Sequence, residues 1–257
     1  MLILLPPSEG KTEARRGKAL DLSTLAFADG LTESRRTVMT TLADLCADDP
    51  EKAREVLDLT PGQAADLVRN IRLETAPTLT AAQLYTGVLF DHLGLLTMSA
   101  DARRRANRTV LISSGLWGVV RPNDRIPPYR LSGGAALPAL GTIVGVWRTP
   151  LAEVLPTWVG RKVVLDLRSG TYAAAWRPTP PVSAKTVTVQ VTQNGKVVSH
   201  HNKATKGLLA RALLESSADP KTPAALAEAC AAAGFPGLLI APPKVGGTWQ
   251  LRIDQVV

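Results

Sequence analysis

Three short runs rich in apolar residues constrain the fold of this chain more than any other feature. The runs are Met1–Leu5, Thr109–Ser113 and Val163–Leu167. Apolar runs of this length that stop at turn-forming or polar residues are typical of buried β-strands. Each run leads into a loop of polar and small residues, and strand ends are where α/β folds place ligand loops. We therefore expect buried strands whose ends carry functional side chains.

Helix signals lie between and after these strands. Thr60–Gln63 combines a capping hydroxyl, a first-turn proline and a glutamine at the capping-box position. Thr80–Gln83 repeats the hydroxyl and the glutamine, and predicts a helix that continues to His92. Ser99 is the predicted cap of a helix that carries Arg103–Arg105. Helices are also predicted at Leu31–Cys46, at Pro50–Leu59, at Asn202–Leu214 and from Thr222 to Gly234.

A β-hairpin is predicted in the second half of the chain. Valines alternate with polar residues over 187–191, Asn194–Gly195 fits a two-residue type I′ turn, and Lys196–His201 is the predicted returning strand. Leu238–Ile240 and Trp249–Ile253 are predicted closing strands. Helices and strands follow no regular βαβ order, which favours an α+β (mixed α/β) fold. Because no linker or repeat divides the chain, we predict one domain over residues 1–257, with a central mixed sheet flanked by helices.

The charge of the chain favours an anionic partner. Thirty Lys and Arg residues against 22 Asp and Glu residues give a formal charge of +8 and a pI near 9.8. Nucleic acids, nucleotides and membrane headgroups are all attracted by such an excess, which does not choose among them. An arginine-rich, solvated surface is the alternative interpretation.

The sequence indicates a protein of the reducing cytoplasm that does not span a membrane. Cys46 and Cys230 have no CxxC spacing and are predicted packing thiols. The apolar start lacks a basic segment and stops at Pro6, unlike a signal peptide, and no run of 18 apolar residues occurs. Three histidines without neighbouring cysteines argue against a structural zinc site. No metal, cofactor or membrane partner is predicted, and the oligomeric state stays open.

The loop after the first strand, Pro6–Thr12, places a hydroxyl, a carboxylate and an ammonium group within four residues. These groups belong to Ser8, Glu9 and Lys11. No glycine stands five positions before Gly10, so the P-loop pattern is absent and a nucleoside triphosphatase is disfavoured. An anion-binding turn and a solvated surface turn both remain open.

The stretch Ser113–Arg130 is the richest in candidate binding residues. Its arginines carry planar donors suited to bidentate contact with phosphate or carboxylate. Asp124 is a candidate to orient one of them, and Trp117 or Tyr129 is a candidate to stack on a base. In the alternative interpretation, the aromatic residues are core and the arginines satisfy loop carbonyls. The arginines are Arg121, Arg125 and Arg130.

An acidic residue and a small-residue turn follow one another at the end of the third apolar run. Asp166 lies inside that run, where a carboxylate must either pair with a cation or become neutral, and such groups concentrate at active sites. A buried structural ion pair is the alternative. Ser169 precedes a predicted helix, whose amino terminus would seat an anion.

A basic helix follows the predicted hairpin. Lys203 and Lys206 lie one turn apart, with Arg211 near the same face, and are candidate phosphate ligands. A solvated helix face is the usual explanation for such charges. His200 and His201 would lie on opposite faces of a strand and could not both bind one metal simply. The G-x-S-x-G elbow of a serine hydrolase does not occur.

Taken in order along the chain, these motifs resemble the YaaA peroxide-stress family. The opening Met1–Thr12 resembles that family's MLI-hydrophobic-SPAKT start, and Ser114–Leu131 is similar, nearly position for position, to its SGLYGVLRPLD…PYRLEMG core. Val164–Tyr172 resembles its NLAS-x-EY segment, and Lys203–Arg211 its KKARGLMSR helix.

The resemblance implies a family-specific α/β fold, a basic cleft, binding to duplex or branched DNA, and a role in limiting oxidative DNA damage. It also implies a helix-hairpin-helix element, for which His92–Leu95 is the best candidate. The chain has Ser-Glu-Gly-Lys where the family commonly has Ser-Pro-Ala-Lys, and Asp166 where asparagine is common. A changed ligand, or a biosynthetic relative of the family, therefore stays open.

Two functions follow from these candidates. In the first, a DNA-binding stress protein contacts phosphates through the cations of these segments. In the second, an enzyme acts on a nucleotide, nucleobase or other small anion in the same cleft, with Asp166, Tyr129 or Lys11 in proton transfer. The predicted nucleic-acid or anion-binding residues are Ser8, Lys11, Trp117, Arg121, Asp124, Arg130, Ser169, Lys203, Lys206 and Arg211.

Overall fold

The computed structural model describes residues 1–193, 196–197 and 199–255. Within those ranges, twelve β-strands form one large sheet and two short ribbons. In chain order the strands are β1 (Leu2–Leu5), β2 (Leu79–Thr80), β3 (Val110–Ser114), β4 (Gly118–Val120), β5 (Arg125–Ile126), β6 (Ala136–Leu137), β7 (Gly141–Thr142), β8 (Val164–Asp166), β9 (Thr186–Gln193), β10 (Lys196–Val197), β11 (Leu238–Ile240) and β12 (Trp249–Gln255).

The described chain also contains ten α-helices, together with short 3₁₀ turns. The helices are α1 (Ala28–Asp48), α2 (Pro50–Val56), α3 (Ala64–Ile71), α4 (Ala81–Leu84), α5 (Val88–Leu93), α6 (Ala100–Thr109), α7 (Ile143–Val159), α8 (Gly170–Ala173), α9 (Ser199–Glu215) and α10 (Pro223–Ala232). Helix α1 packs against α3 and α7, and α9 packs against α5 and β9.

The large sheet is mixed and has its buried centre at β1. Its order is β11-β12-β9-β8-β1-β3-β4, with β10 paired to the end of β9. Strand β1 pairs in parallel with β3 through Ile3↔Val110 and with β8 through Leu4↔Asp166. Because β3, β1, β8, β9 and β12 are mutually parallel, they end on one side of the sheet, which we call the carboxyl edge. The predicted mixed α/β fold is confirmed.

The apolar runs form the central strands because parallel strands are covered on both faces and need no polar alternation. All four residues of β1 are buried, as are all residues of β3 and β8. Asp166 is the acidic member of this buried set, and it closes β8 at the carboxyl edge.

Most local helix signals are confirmed by the hydrogen bonds that they imply. Gln63 Oε1 accepts from the amide of Thr60 at 3.0 Å, and Gln83 Oε1 accepts from the amide of Thr80 at 3.1 Å. Ser99 Oγ accepts from an amide in the first turn of α6. The short-range pairing of a cap with a residue three positions later is readable from sequence, since it needs no distant partner.

The helix predicted from Thr80 to His92 was wrong in its middle. It breaks after α4, where Tyr85 is extended with φ −74° and ψ 127°, and resumes at α5 after Gly87, whose φ is +96°. A tertiary contact decides this break, because Tyr85 forms an antiparallel bridge with Lys11.

The hairpin prediction was partly wrong. Strand β10 does pair antiparallel with the end of β9, through Lys196↔Gln193 and Val197↔Thr192, but Asn194–Gly195 lies outside the described residues. His200 and His201 belong to the first turn of α9 rather than to a returning strand. The helix begins at Ser199, earlier than the predicted start at Asn202.

A buried arginine that sequence patterns did not reveal ties α1 to the sheet. Arg35 is fully buried and donates from Nε to the carbonyl of Trp117 at 3.1 Å. Its Nη2 donates to the carbonyls of Ala26 at 2.8 Å and Val119 at 2.9 Å. Burial lowers the pKa of Arg35 to about 10, which leaves it charged at neutral pH.

Replacing Arg35 by alanine is expected to lower the free energy of unfolding by about 3–5 kcal/mol, because three carbonyls lose their buried donor. The matched control is Arg36→Ala, at the next and exposed position, where less than about 0.5 kcal/mol is expected. Urea unfolding of both variants measures the difference. Equal losses in the two variants would contradict the structural role of Arg35.

Candidate functional site

The candidate site lies at the carboxyl edge, around the ends of β1, β3 and β8. The chain passes from β1 to β3 on one side and later places β8 on the other side of β1. Strand order therefore reverses between β1 and β8, and α/β sheets bind ligands outside the carboxyl ends of strands at such a reversal. The loops that follow all three strands carry predicted site residues. We call this group the carboxyl-edge site.

Lys11 is fixed in position by the backbone around it. Its bridge with Tyr85 holds the loop after β1 against the break between α4 and α5. The amide of Thr12 also donates to the carbonyl of Leu84 at 2.8 Å. The first loop and the helix break thus position each other.

The ammonium group of Lys11 lies among neutral partners. Its Nζ donates to the carbonyl of Ser8 at 3.0 Å and, more weakly, to that of Glu9 at 3.4 Å. The same atom lies 4.3 Å from the centroid of the Tyr129 ring and 5.7 Å from that of the Tyr85 ring. Ring faces attract cations but compensate lost hydration only in part.

This environment makes Lys11 an unusual lysine. Burial lowers the pKa of Lys11 to about 8. The negative charge of Glu9 raises this pKa, and the positive charge of Arg130 lowers it further. Desolvation is the main cause, because it penalises the charged form of an amine. A substantial fraction of neutral amine is therefore present just above neutral pH.

Three hydroxyl groups form a buried cluster beneath Lys11. Tyr129 Oη lies 2.7 Å from Ser114 Oγ and 2.9 Å from Tyr85 Oη. Ser114 Oγ also accepts from the amide of Trp117 at 2.9 Å. Burial raises the pKa of Tyr129 and of Tyr85, so both phenols are neutral hydrogen-bonding groups at physiological pH. The sequence predicted Tyr129 as a site residue but not Tyr85, because the spacing around Tyr85 predicted an ordinary helix.

Arg130 reaches the carboxyl-edge site from the stretch after β5. Its Nη1 lies 3.0 Å from Glu9 Oε2, and its side chain is 21% exposed. Fully buried Asn70 holds its backbone: Asn70 Nδ2 donates to the carbonyl of Arg130 at 2.8 Å, and the amide of Arg130 donates to Asn70 Oδ1 at 2.9 Å. No local pattern marked Asn70, since its partner lies 60 positions away.

Tyr172 forms another wall of the site. Its hydroxyl accepts from the amide of Gly133 at 2.9 Å, and a Cβ on Gly133 would lie 2.8 Å from the Tyr172 ring. Only glycine allows this approach without displacing the ring. Burial raises the pKa of Tyr172 to about 12, with further influence from Glu9 and Arg130.

Asp166 is held in a buried ion pair. Asp166 Oδ1 and Oδ2 accept from Arg168 Nε at 2.9 Å and Nη2 at 2.7 Å, and Arg168 also donates to the carbonyl of Trp176. Side-chain exposure is 6% for Asp166 and 4% for Arg168. This arrangement favours the structural interpretation of Asp166 over a role in proton transfer.

Lys206 approaches the end of β8 from α9. Its Nζ donates to the carbonyl of Leu167 at 3.3 Å. Burial lowers the pKa of Lys206, opposed by the charge of Asp166. The amide of Leu167 donates to the carbonyl of Leu4 at 2.9 Å, so Lys206 lies beside the ends of both β8 and β1. Lys203, one turn earlier on α9, is exposed.

Several predicted ligand residues instead hold the fold together. Trp117 is fully buried and its ring packs edge-on against Tyr129, which favours the core interpretation over stacking on a base. Asp124 Oδ2 accepts from the amides of Arg121 and Ala26, both at 2.9 Å, rather than orienting a guanidinium. The guanidinium of Arg121 lies over the Phe27 ring, 5.7 Å from its centroid.

Arg211 is also engaged inside the protein. Its Nη1 donates to the carbonyls of Leu93 and Gly94 at 3.1 and 3.0 Å and to Thr97 Oγ1 at 3.0 Å. These contacts favour a structural role, because the guanidinium satisfies the carbonyls at the end of α5, and the phosphate contact of Arg211 stays a prediction. The same contacts occupy the turn at His92–Leu95, the candidate hairpin of a helix-hairpin-helix element.

The two serines contribute less than predicted. Ser8 Oγ donates to the carbonyl of Gly10 at 2.6 Å, which shapes the loop. Ser169 is exposed and precedes α8, but α8 is a single turn of four residues and has too small a dipole to seat an anion alone.

The described residues contain neither a candidate metal cluster nor a candidate membrane span. Within residues 1–193, 196–197 and 199–255, no group of three His, Cys, Asp or Glu side chains could hold a metal ion. Among the helices assigned above, none combines the length and apolar character that crossing a membrane requires.

The sequence is similar to a known family over most of its length. A family profile described as "Peroxide stress protein YaaA" matches residues 1–236. A UPF0246 protein of Streptomyces coelicolor is 49% identical over 255 residues, which cover 98% of each chain. A UPF0246 protein of Corynebacterium glutamicum is 40% identical over 239 residues, covering 91% of this chain and 94% of that protein. An uncharacterised Campylobacter jejuni protein is 33% identical over 137 residues, about half of each chain.

Lys11 is expected to titrate with a midpoint near pH 8, well below the ordinary lysine value of 10.5. Glu9→Gln should lower the midpoint, because the carboxylate favours the ammonium form. Arg130→Gln should raise it, because the guanidinium disfavours that form. The pH dependence of the Lys11 ¹³Cε chemical shift measures the titration midpoint in wild type and in both variants. The signal is assigned by its loss in Lys11→Arg. A wild-type midpoint at the ordinary lysine value would contradict the desolvated environment.

Proposed function

We propose that this chain, which belongs to the peroxide stress protein YaaA family, binds duplex or branched DNA in the cytoplasm by holding its phosphates at the carboxyl-edge site. The family is named for peroxide stress. The observation that carries the proposal is the convergence of Lys11, Arg130 and Lys206 on one sheet edge. They come from three segments far apart in sequence.

The chemistry of these groups suits phosphate. Arg130 offers a planar set of donors, of which the contact with Glu9 uses part. Lys11 and Lys206 are partly desolvated cations that an approaching anion would stabilise. Lys203 extends the charge outward along α9. A polyanion that spans these positions would compensate the cost of holding several cations together.

Charge-removing variants at the carboxyl edge are expected to weaken DNA binding and its dependence on salt. Arg130→Gln, Lys203→Gln and Lys206→Gln should each reduce the slope of log affinity against log salt by about 1, since each removes about one phosphate contact. Fluorescence anisotropy of a labelled duplex over a series of salt concentrations measures the slope.

The matched control is Lys162→Gln. Lys162 is also exposed, but it precedes β8 at the opposite edge of the sheet, so its removal should leave the slope unchanged. Glu9→Gln should strengthen binding, because it removes a carboxylate that competes for Arg130. Equal slopes in wild type and all three carboxyl-edge variants would rule out this mode of binding.

A second candidate is an enzyme that acts on a nucleotide, nucleobase or other small anion in the same site. The lowered pKa of Lys11 beside neutral Tyr129 favours it, because an amine near neutrality and a phenol form an acid–base pair. Asp166 has no part in this version, since Arg168 occupies its carboxylate.

If this candidate is correct, Tyr129→Phe should lower turnover by about 10²–10⁴-fold, the usual contribution of a proton-transfer group. The ring beneath Lys11 remains in this variant, so DNA affinity should not change. Turnover is measured on a panel of nucleotides and nucleobases. Wild-type protein that leaves the whole panel unchanged would exclude the enzyme on those substrates.

A further inference from the structure

Lys11 differs from an ordinary phosphate-binding lysine in the partners of its ammonium group. The hydrogen bonds described for Nζ go to neutral backbone carbonyls, while the nearby Glu9 carboxylate contacts Arg130 instead. With a pKa of about 8, about one Lys11 in ten is a neutral amine at pH 7. A lysine of ordinary pKa has fewer than about one in a thousand. Neutral, desolvated amines are the lysines that attack carbonyl carbons.

The surroundings also suit the product of such an attack. The Tyr129 ring face, 4.3 Å from Nζ, would stabilise a protonated imine as it does the ammonium. Hydroxyls of Tyr129, Ser114 and Tyr85 form a connected neutral cluster directly below. This cluster would favour a carbonyl substrate whose oxygen must gain a proton and leave as water.

The aromatic residues beside Lys11 offer no open face for a base. Trp117 is 0% exposed and Tyr129 is 4% exposed, so neither can stack on a nucleobase in this conformation. A DNA sugar that has lost its base avoids this requirement. The ring-opened form of such an abasic sugar carries an aldehyde at C1′, between two phosphates for which Arg130 and Lys206 are the proposed partners.

We infer that Lys11 forms a reversible covalent imine with the aldehyde of an abasic site in DNA. This inference rests on the proposed DNA binding and names the lesion that the carboxyl-edge site would hold. The lone pair of neutral Lys11 Nζ adds to C1′, and one of its two protons passes to the carbonyl oxygen to give a carbinolamine. The second Nζ proton leaves with that oxygen as water while the C=N bond forms, and hydrolysis reverses the step. No oxidant, reductant or cofactor is consumed.

The test is borohydride trapping on a labelled duplex with one abasic site. Borohydride reduces an imine to a stable amine, so wild-type protein should give a cross-linked band on a denaturing gel, and peptide mapping should place the bond on Lys11. Lys11→Arg keeps the positive charge but cannot form the imine, so the cross-link yield per bound duplex should fall by about tenfold or more, with binding of each variant measured in parallel. Lys18→Arg, at an exposed lysine between β1 and α1, should cross-link as wild type does.

A duplex with a tetrahydrofuran in place of the abasic sugar, which has no aldehyde, should bind without cross-linking. Cross-linking that persists in Lys11→Arg would overturn the assignment to Lys11. Wild-type protein that binds both duplexes but never cross-links would overturn the imine and leave the DNA-binding proposal standing. Failure to bind either duplex would overturn both.

Discussion

The parallel pairing of β1 with β3 on one side and β8 on the other is the constraint on which the rest of the structure depends. It brings the ends of three strands from residues 2–5, 110–114 and 164–166 to one edge. Strand β1 can be central because its four residues are all buried and apolar. The loop that leaves β1 forms a backbone bridge between Lys11 and Tyr85. This bridge positions the ammonium group of Lys11 over the Tyr129 ring.

Elements decided by contacts within a few residues could be predicted from the sequence, and those decided by distant contacts could not. The capping boxes at Thr60 and Thr80 needed only a partner three positions away. The break at Tyr85 needed Lys11, more than 70 positions earlier, and local spacing therefore predicted an unbroken helix. The apolar runs predicted the buried strands because burial on both faces leaves a local trace in the sequence.

The same distinction explains the candidate site. Lys11, Tyr129 and Arg130 were predicted because they stand in loops rich in polar, small and basic residues. Asn70 stands on an ordinary helix, and its part in holding Arg130 follows from a hydrogen bond across 60 positions. Arg211 shows the opposite case. Its helical spacing with the lysines of α9 made it a candidate ligand, but its guanidinium donates to carbonyls at the end of α5, which local spacing does not reveal.

The basic residues behind the formal charge of +8 fall into two groups. Some stabilise the fold, and others are available to contact a partner. Arginines hold buried carbonyls and Asp166, since a guanidinium stays charged when desolvated. Burial instead lowers the pKa of Lys11 and of Lys206, so these two lysines release protons more readily. A phosphate bound beside Lys11 would reverse that effect and favour the ammonium, whereas imine formation needs the neutral amine. Both can occur at one site if the Arg130 guanidinium carries the phosphate while Lys11 loses its proton.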